Sequence, residues 1–273
     1  MGVFAEYDRR DMNIICPPGT LTLSGKHLLA LKEWSVCGHV VCCDCGWNGT
    51  VIANAPEKFV GVGHTEGGVE TAVDFEISAD GRDVGGFKTA LHCSSAEYQR
   101  ITMLDHLQLA IRTEVHPEEF FSGCSYLALA DQNIELFYAH QYSWSTAFDR
   151  FRYQSLDGKW HEGTLHSRGE MIYWQRIRCA VLFAPAYGMA VAFAPDPASC
   201  RIATGKLWDR AIYHKFYLEL DQKGVIPAWS KSPVCAMETK LLHTTAERFA
   251  AEAEKFADGL PALWEKRGFA AGE

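Results

Sequence analysis

The sequence predicts an all-β protein, a large antiparallel two-sheet β-sandwich that carries one helix near its C-terminal end. Two observations favour the strands: short runs of alternating apolar residues recur along the chain, and turn residues separate them. The runs include "TLTLS", "VDFEIS", "LQLAIRTEV", "IELFYAH" and "HKFYLEL". Many short strands between turns are typical of a sandwich or barrel.

The turns have a local cause. Asp80-Gly81 and Asp157-Gly158 are dipeptides that adopt positive φ at low energy, so each predicts a hairpin corner. No repeat or low-complexity linker divides the chain. We therefore expect residues 1–273 to form one domain.

One segment has helical rather than alternating periodicity. Residues 244–268 are rich in Ala, Glu and Lys, and their larger apolar side chains recur at helical spacing. The stripe comprises Phe249, Ala253 and Phe256. The segment predicts a helix that packs outside the sheets, with a break near Gly259 and Pro261.

Composition limits the kinds of partner. The chain of 273 residues is 48% hydrophobic and has a formal net charge of -8. This charge argues against nucleic acid, and no apolar run reaches the length of a membrane helix, so neither a nucleic-acid nor a membrane partner is expected. Charges near the start replace the apolar stretch of a signal peptide, which predicts a cytoplasmic protein.

The ten cysteines are scattered, mostly among apolar residues, and predict reduced thiols. Cys42 and Cys45 form a C-x2-C pair, to which Cys37 or His39 could add a zinc ligand. Under the alternative strand interpretation, Cys43 and Cys45 share one face and the C-x2-C spacing is accidental.

The stretch "GVGHTEGGVE" contains a histidine and two carboxylates within a frame of glycines. If it is a strand, alternation places His64, Glu66 and Glu70 on one face, where they could bind a divalent metal ion or act as acid and base. The alternative is a glycine-rich bend whose polar residues face water.

The spacing of this stretch also resembles the first cupin motif, H-x-H-x(3,4)-E, with Glu66 in place of the middle histidine. No second cupin motif follows, so the remaining ligand must come from elsewhere, and His140 is the first choice. The candidate metal set is therefore His64, Glu66, Glu70 and His140. No cofactor is required otherwise.

Two further stretches offer a ligand surface. In "YAHQYSWS", the residues Tyr138, His140, Tyr142 and Trp144 have one parity and would form an aromatic wall on which a sugar ring can stack. The alternative is an aromatic core layer with His140 hydrogen bonded inside it. In "WDRAIYHKFYLEL", Tyr213 and Lys215 share a face with Tyr217 and could contact a substrate.

The strand number and the segment "LFYAHQYSWSTAFDRFRYQSLDGKWHEGTL", a polar aromatic strand followed by an Asp-Gly hairpin, resemble the large sandwiches of galactose-mutarotase-like proteins and polysaccharide lyase domains. The resemblance implies carbohydrate chemistry and a cleft on the concave face of one sheet.

The favoured function is a carbohydrate-active enzyme, a lyase or an isomerase/epimerase, that binds a small sugar or oligosaccharide and is assisted by a metal if one is present. Its catalytic group comprises His64, Glu66, His140 and Tyr142. Its substrate-binding group comprises Trp144, Tyr138, Tyr213 and Lys215. The alternatives are a non-catalytic carbohydrate-binding protein and a cupin-like metal enzyme that acts on a small organic acid. A homo-oligomer is compatible with the sequence.

Overall fold

The computed structural model describes residues 9–269, which form twenty-three strands, two α-helices and a short 3-10 helix at Pro185–Tyr187. The first twelve strands are β1 (Met12–Cys16), β2 (Gly19–Ser24), β3 (Ala30–Val36), β4 (His39–Cys42), β5 (Val51–Ala53), β6 (Phe59–Val60), β7 (Glu70–Ala79), β8 (Arg82–Asp83), β9 (Ala90–His92), β10 (Ala96–Leu104), β11 (Leu107–His116) and β12 (Glu119–Ala128). The others are β13 (Gln132–Ile134), β14 (Leu136–Trp144), β15 (Arg150–Ser155), β16 (Trp160–Thr164), β17 (Glu170–Gln175), β18 (Ile177–Ala184), β19 (Met189–Pro195), β20 (Ala203–Asp209), β21 (His214–Leu220), β22 (Gly224–Ile226) and β23 (Cys235–His243). The helices are α1 (Ser199–Ile202) and α2 (Phe249–Lys266).

The strands form two large sheets and one small one, and the predicted all-β sandwich is confirmed. The first sheet has 11 strands in the order β17-β20-β21-β14-β4-β3-β2-β1-β9, with β5 paired to β14 and β6 paired to β5. The second has 10 strands in the order β16-β15-β18-β19-β23-β12-β11-β10-β7-β8. Strands β13 and β22 form the third sheet. Neighbouring strands are antiparallel except for β1 and β9.

The core lies between the two large sheets because each strand presents every second residue to the other sheet. Strand β10 illustrates this alternation: its even-numbered residues are buried and its odd-numbered residues are half-buried. Aromatic rings pack across the interface, as Trp34 does on Phe120 at 5.2 Å and Trp144 on Phe193 at 5.4 Å between ring centroids. The inward faces of the two sheets therefore pack against each other.

Helix α2 packs on the outer face of the 10-stranded sheet, as the sequence predicted for a C-terminal helix. Phe249 stacks on Phe183 at 5.0 Å, and Trp264 contacts Phe121 at 6.5 Å. The helix starts at Phe249 and continues through Pro261, so the predicted break is wrong. Burial of the apolar stripe on both sides of Pro261 holds the helix together despite the lost backbone hydrogen bond. Within the described residues, no helix is long and apolar enough to cross a membrane.

A buried ion pair fixes the start of β7. Arg100 Nη1 lies 2.7 Å from Glu70 Oε1, with side chains that are 2% and 6% exposed. The other oxygen of Glu70 accepts a hydrogen bond from the backbone N–H of Val62 at 2.7 Å. Glu70 thereby connects the loop before β7 to β10, and both oxygens of its carboxylate are used structurally.

We predict that Glu70→Ala lowers the free energy of unfolding by roughly 3–5 kcal/mol, because it leaves the Arg100 guanidinium buried without its counter-charge. Urea denaturation measures this difference. The matched control is Glu66→Ala, whose side chain is 52% exposed and should change stability by less than about 0.5 kcal/mol. Equal losses in the two variants would contradict the assigned role of Glu70.

Candidate functional site

Residues 61–69 form turns and a bridge between Gly61 and His64 rather than a strand. The glycines cause this: Gly61, Gly63 and Gly68 have φ of 112°, 90° and 152°. The expectation that His64, Glu66 and Glu70 share a strand face is therefore wrong, and the bend interpretation describes the backbone. His64 Nδ1 lies 3.3 Å from Glu66 Oε2, whereas Glu70 is turned toward Arg100.

The even-numbered residues of β14 from His140 onward point into the sandwich. His140 is 2% exposed, and its Nε2 lies 3.0 Å from the carbonyl oxygen of Cys235. Tyr142 places its hydroxyl 3.4 Å from His140 Nδ1, and Trp144 stacks on Phe193. The predicted ligand-facing wall is wrong for these three residues, because the opposite sheet covers this face of β14. The core-layer alternative describes their positions.

Tyr138 is separated from that layer by a bulge. The pairing of β14 with β21 shifts between Tyr138 and His140, and Ala139 is the extra residue. Tyr138 consequently lies opposite Glu219 on the outer face, while His140 lies opposite Leu218 in the core. The spacing of two residues predicts that Tyr138 and His140 point to the same face of the strand. Because of the bulge, they point to opposite faces.

The outer face of the 11-stranded sheet collects polar and aromatic side chains from several strands. Pairing between β14 and β21 places these side chains next to each other: Gln141 lies opposite Tyr217, and Ser143 lies opposite Lys215. We use the term outer-face cluster for six residues on this side that are connected through pairwise contacts. They are Trp47, Phe59, His64, Tyr138, Lys215 and Tyr217.

Aromatic contacts connect the members of the outer-face cluster. Lys215 Nζ lies 5.7 Å from the centroid of Trp47 and 5.4 Å from that of Tyr217. His64 contacts Trp47 at 4.5 Å between centroids, and Tyr138 contacts Tyr217 at 4.6 Å. Phe59 is 5.4 Å from His64 and packs in the same apolar cluster as Tyr138. An ammonium group therefore lies between two π-faces, with an imidazole against one of them.

The loop of residues 43–50 positions Trp47. Asn48 fixes this loop by accepting a hydrogen bond from the backbone N–H of Ser143 at 2.7 Å and by donating to two carbonyl oxygens. Gly46 packs so close to Tyr213 that an added Cβ would lie 2.8 Å from its ring. Gly63 similarly leaves room for Trp47 and His27. A side chain at either glycine would push the loops apart.

Lys215 is the most perturbed cation of this surface. It is 3% exposed, and burial lowers its pKa from 10.5 to about 8. Among residues 9–269, no carboxylate oxygen lies within 4.0 Å of its Nζ. On the neighbouring strand, the buried Nε2 of Gln141 has no hydrogen-bond partner within the described part of the chain. On this face, Lys215 thus has aromatic rings but no carboxylate as partners, and the Gln141 amide lacks a hydrogen-bond partner within the described residues.

His64 is a neutral imidazole near pH 7. Burial lowers its pKa below the ordinary 6.5, and the Lys215 charge acts in the same direction, although Glu66 opposes both. The contact between Nδ1 and Glu66 favours the tautomer with its proton on Nδ1. Nε2 then carries a lone pair and can accept a proton.

Further polar groups flank the cluster on β20, on β21 and in the turn between them. Arg210 donates from Nη1 to the Tyr213 hydroxyl at 2.9 Å, and its guanidinium lies 4.3 Å from the ring centroid of Trp208. Lys206 pairs with Glu219. The arrangement offers aromatic faces, hydrogen-bond donors, a neutral base and a cation of lowered pKa. Tyr213 and Lys215, both predicted as substrate-binding, lie within this arrangement.

Sequence reasoning missed Trp47 and Phe59 as neighbours of His64, because loops far apart in sequence bring them together. Parity did identify Tyr217 as sharing a face with Lys215, and the structure agrees. His27, which approaches Gly63, was also missed. No local signal marks these long-range contacts.

The predicted metal sets do not assemble. His64, Glu66, Glu70 and His140 are distributed between a loop, an ion pair and the core, so they do not form a ligand cluster within residues 9–269. The C-x2-C zinc interpretation is also wrong, because Cys42 is buried in the core while Cys45 is exposed. Cys43 and Cys45 share a side, with 2.8 Å between their Sγ atoms. The cysteines are free thiols, as predicted.

Comparison with known proteins identifies the fold. No protein-family model and no curated protein matches the chain. Solved structures do match. The galactosidase domain of an α-galactosidase–sucrose kinase aligns with a TM-score of 0.58 at 7% identity over 87% of this chain and 41% of that one. A putative aldose 1-epimerase from Escherichia coli K12 aligns with a TM-score of 0.53 at 8% identity, over 85% of this chain and 99% of that one.

A GH36 α-galactosidase from Geobacillus stearothermophilus also aligns, with a TM-score of 0.55 at 6% identity over 88% of this chain and 42% of that one. The chain thus spans about two-fifths of the length of the galactosidases that it matches. At such identities the likeness concerns the fold. It supports the predicted galactose-mutarotase-like architecture, which here occurs in proteins that act on carbohydrates.

We predict that Lys215→Met raises the free energy of unfolding at pH 7 by roughly 1–3 kcal/mol, because it removes a buried charge that has no carboxylate partner. The pKa of Lys215 is lowered to about 8 in the folded state, so the unfolded chain binds more protons between that value and 10.5. The advantage of the variant should therefore shrink as the pH rises through this window. Urea denaturation at several pH values measures it.

The matched control is Lys206→Met, on the same sheet face. Lys206 has the carboxylate of Glu219 as its partner, so this variant should be neutral or destabilised at pH 7. The account of Lys215 is contradicted if Lys215→Met loses as much stability as the control.

Proposed function

We propose that this chain is a carbohydrate-active enzyme of the epimerase type, which interconverts the anomers of an aldose at the outer-face cluster. The observation that carries the proposal is the pairing of a neutral imidazole, His64, with a cation of lowered pKa, Lys215, on one aromatic residue, Trp47. The resemblance of the fold to a putative aldose 1-epimerase supports the same reaction class.

Sugar binding follows from the aromatic faces. The apolar C–H face of a pyranose packs on flat rings, while its hydroxyls need donors and acceptors at the edge. Trp47 is 45% exposed and offers such a ring, with Tyr138 and Tyr217 beside Lys215. The flanking Arg210 guanidinium is a donor available to hydroxyls.

The chemistry requires one base and one acid. His64 Nε2 takes the proton from the anomeric hydroxyl, the bond between the anomeric carbon and the ring oxygen breaks, and Lys215 Nζ gives a proton to that ring oxygen. In the open-chain aldehyde, the carbonyl group rotates about the bond to the neighbouring carbon and presents its other face to the ring oxygen. Ring closure then returns both protons to the protein groups from which they came, so no cofactor or metal is consumed.

Both groups have pKa values suited to this task. A general base must be unprotonated and a general acid protonated, and each works best when its pKa is near the working pH. Burial lowers both pKa values, because it disfavours the charged forms of His64 and Lys215 alike. Glu66 orients the imidazole through its contact with Nδ1.

A second function is supported by one observation. Lys215 is 3% exposed whereas Trp47 is 45% exposed, so a sugar can stack on Trp47 without reaching the ammonium. That geometry favours a non-catalytic carbohydrate-binding protein, in which the aromatic face binds and no proton moves.

Anomer exchange tests the proposal. Magnetisation-transfer NMR on glucose, galactose, mannose and xylose measures the rate at which each anomer converts. We expect the wild type to accelerate exchange of at least one aldose, and His64→Ala and Lys215→Met to lose about 10²–10⁴-fold of that acceleration. The matched control is His106→Ala, an exposed histidine 56% accessible to solvent, which should keep full activity.

The results separate the two functions. Saturable sugar binding that Trp47→Ala abolishes, with no acceleration of exchange for any aldose, supports the binding protein and contradicts the enzyme. Absence of both binding and exchange for all four aldoses contradicts both.

The pH profile provides a further prediction. Activity should rise as His64 loses its proton below pH 6.5 and fall as Lys215 deprotonates near pH 8. In Lys215→Met the alkaline fall should vanish from the residual activity. Persistence of the alkaline fall in that variant would assign it to another group.

A further inference from the structure

Three ligand types meet at one end of the sandwich, away from the outer-face cluster. Cys37, Glu118 and His243 each offer one ligating atom, and these atoms all lie within 4.8 Å of one another. They come from the β3–β4 hairpin, the β11–β12 hairpin and the end of β23. No other group of three such side chains comes together within residues 9–269.

The chemistry of this triad fits a borderline transition metal. A thiolate, an imidazole and a carboxylate are the ligand types that Zn²⁺ binds in proteins, at about 2.3 Å for sulfur and about 2.0–2.2 Å for nitrogen and oxygen. Ligand atoms around such a tetrahedral ion are separated by about 3.3–3.8 Å. His243 Nε2 and Glu118 Oε1 are 2.6 Å apart, so a bound ion would replace the proton that they share.

Backbone contacts hold each ligand in place before any metal binds. The N–H of Cys37 donates to the carbonyl oxygen of Pro18 at 3.0 Å, and the carbonyl oxygen of Glu118 accepts from Leu241 N–H at 2.8 Å. His243 lies opposite Met189 in the ladder of β23 and β19. A site held by the ladders of two sheets needs little reorganisation to bind an ion.

The backbone at Cys37 forms the tip of the β3–β4 hairpin. Cys37 and Gly38 have φ of 52° and 79°, which is the left-handed pair of a two-residue hairpin. Asn, Asp and Gly are the residues that favour the first of these positions. Cys37 is exposed, so its thiol is accessible to an ion at the tip of this hairpin.

We propose that Cys37, Glu118 and His243 form a Zn²⁺ site that joins the two sheets. Cys37 belongs to the 11-stranded sheet, and the other two ligands belong to the 10-stranded sheet. With three protein ligands, the fourth position of the tetrahedron is open to water or to a small anion. Binding displaces the proton shared by His243 and Glu118 and the proton of the thiol.

Zinc titration of the full chain, first stripped of metal by a chelator, tests the proposal. Isothermal calorimetry should give one Zn²⁺ per chain, and Cys37→Asn, Glu118→Gln and His243→Gln should each weaken binding by at least about tenfold. Asn adopts the left-handed conformation readily, so Cys37→Asn keeps the hairpin. At equal zinc concentration, zinc should raise the Tm of the wild type more than that of Cys37→Asn.

Cobalt substitution identifies the thiol. Co²⁺ bound to the wild type should show the charge-transfer absorption of a thiolate–cobalt bond, and Cys37→Asn should lack it. The control Cys43→Ser/Cys45→Ser, which removes the exposed thiol pair, should keep it. The proposal is overturned if the wild type binds no zinc, if Cys37→Asn binds zinc as tightly as the wild type, or if the absorption follows Cys43 and Cys45. No sugar enters these measurements, so their outcome is independent of the proposed function.

Discussion

The packing of the two large sheets on each other is the constraint on which the other features depend. It requires every strand of the 11-stranded sheet to send one set of side chains inward, and in β14 that set includes His140, Tyr142 and Trp144. Their neighbours on the strand must then face outward. The bulge at Ala139 decides where this division falls, because it places Tyr138 outside although its spacing from His140 suggests the same side.

On the outer face, the burial of Lys215 lowers the stability of the fold and at the same time lowers the pKa of its amine. Burial of Lys215 without a carboxylate partner costs free energy of folding, and the same burial brings its pKa near 8, where an amine can give and take protons at physiological pH. A packed interior would replace Lys215 by an apolar residue. The aromatic rings of Trp47 and Tyr217 offset part of the cost through cation–π contact and keep water from the ammonium.

Local patterns predicted the architecture, because alternation, Asp-Gly turns and helical spacing each depend on residues that are close in sequence. They placed Tyr213, Lys215 and Tyr217 on one face and predicted a helix that ends near Lys266. They failed where backbone geometry is decided by glycines or by the opposite sheet. Positive φ at Gly61 and Gly63 turned a presumed strand into a loop, and sheet packing placed His140 inside. Contacts such as that of Trp47 with His64 join distant loops and have no local signature.

The proposed function depends on Lys215 as a proton donor to a bound sugar. The most direct measurement is an NMR titration of the Lys215 side chain in protein with ¹³C-labelled lysine, assigned with Lys215→Met, with and without a saturating aldose. The account predicts a pKa near 8 in the free protein and a change in that value when the sugar binds. An ordinary value near 10.5, or a titration that bound sugar leaves unchanged, would contradict it.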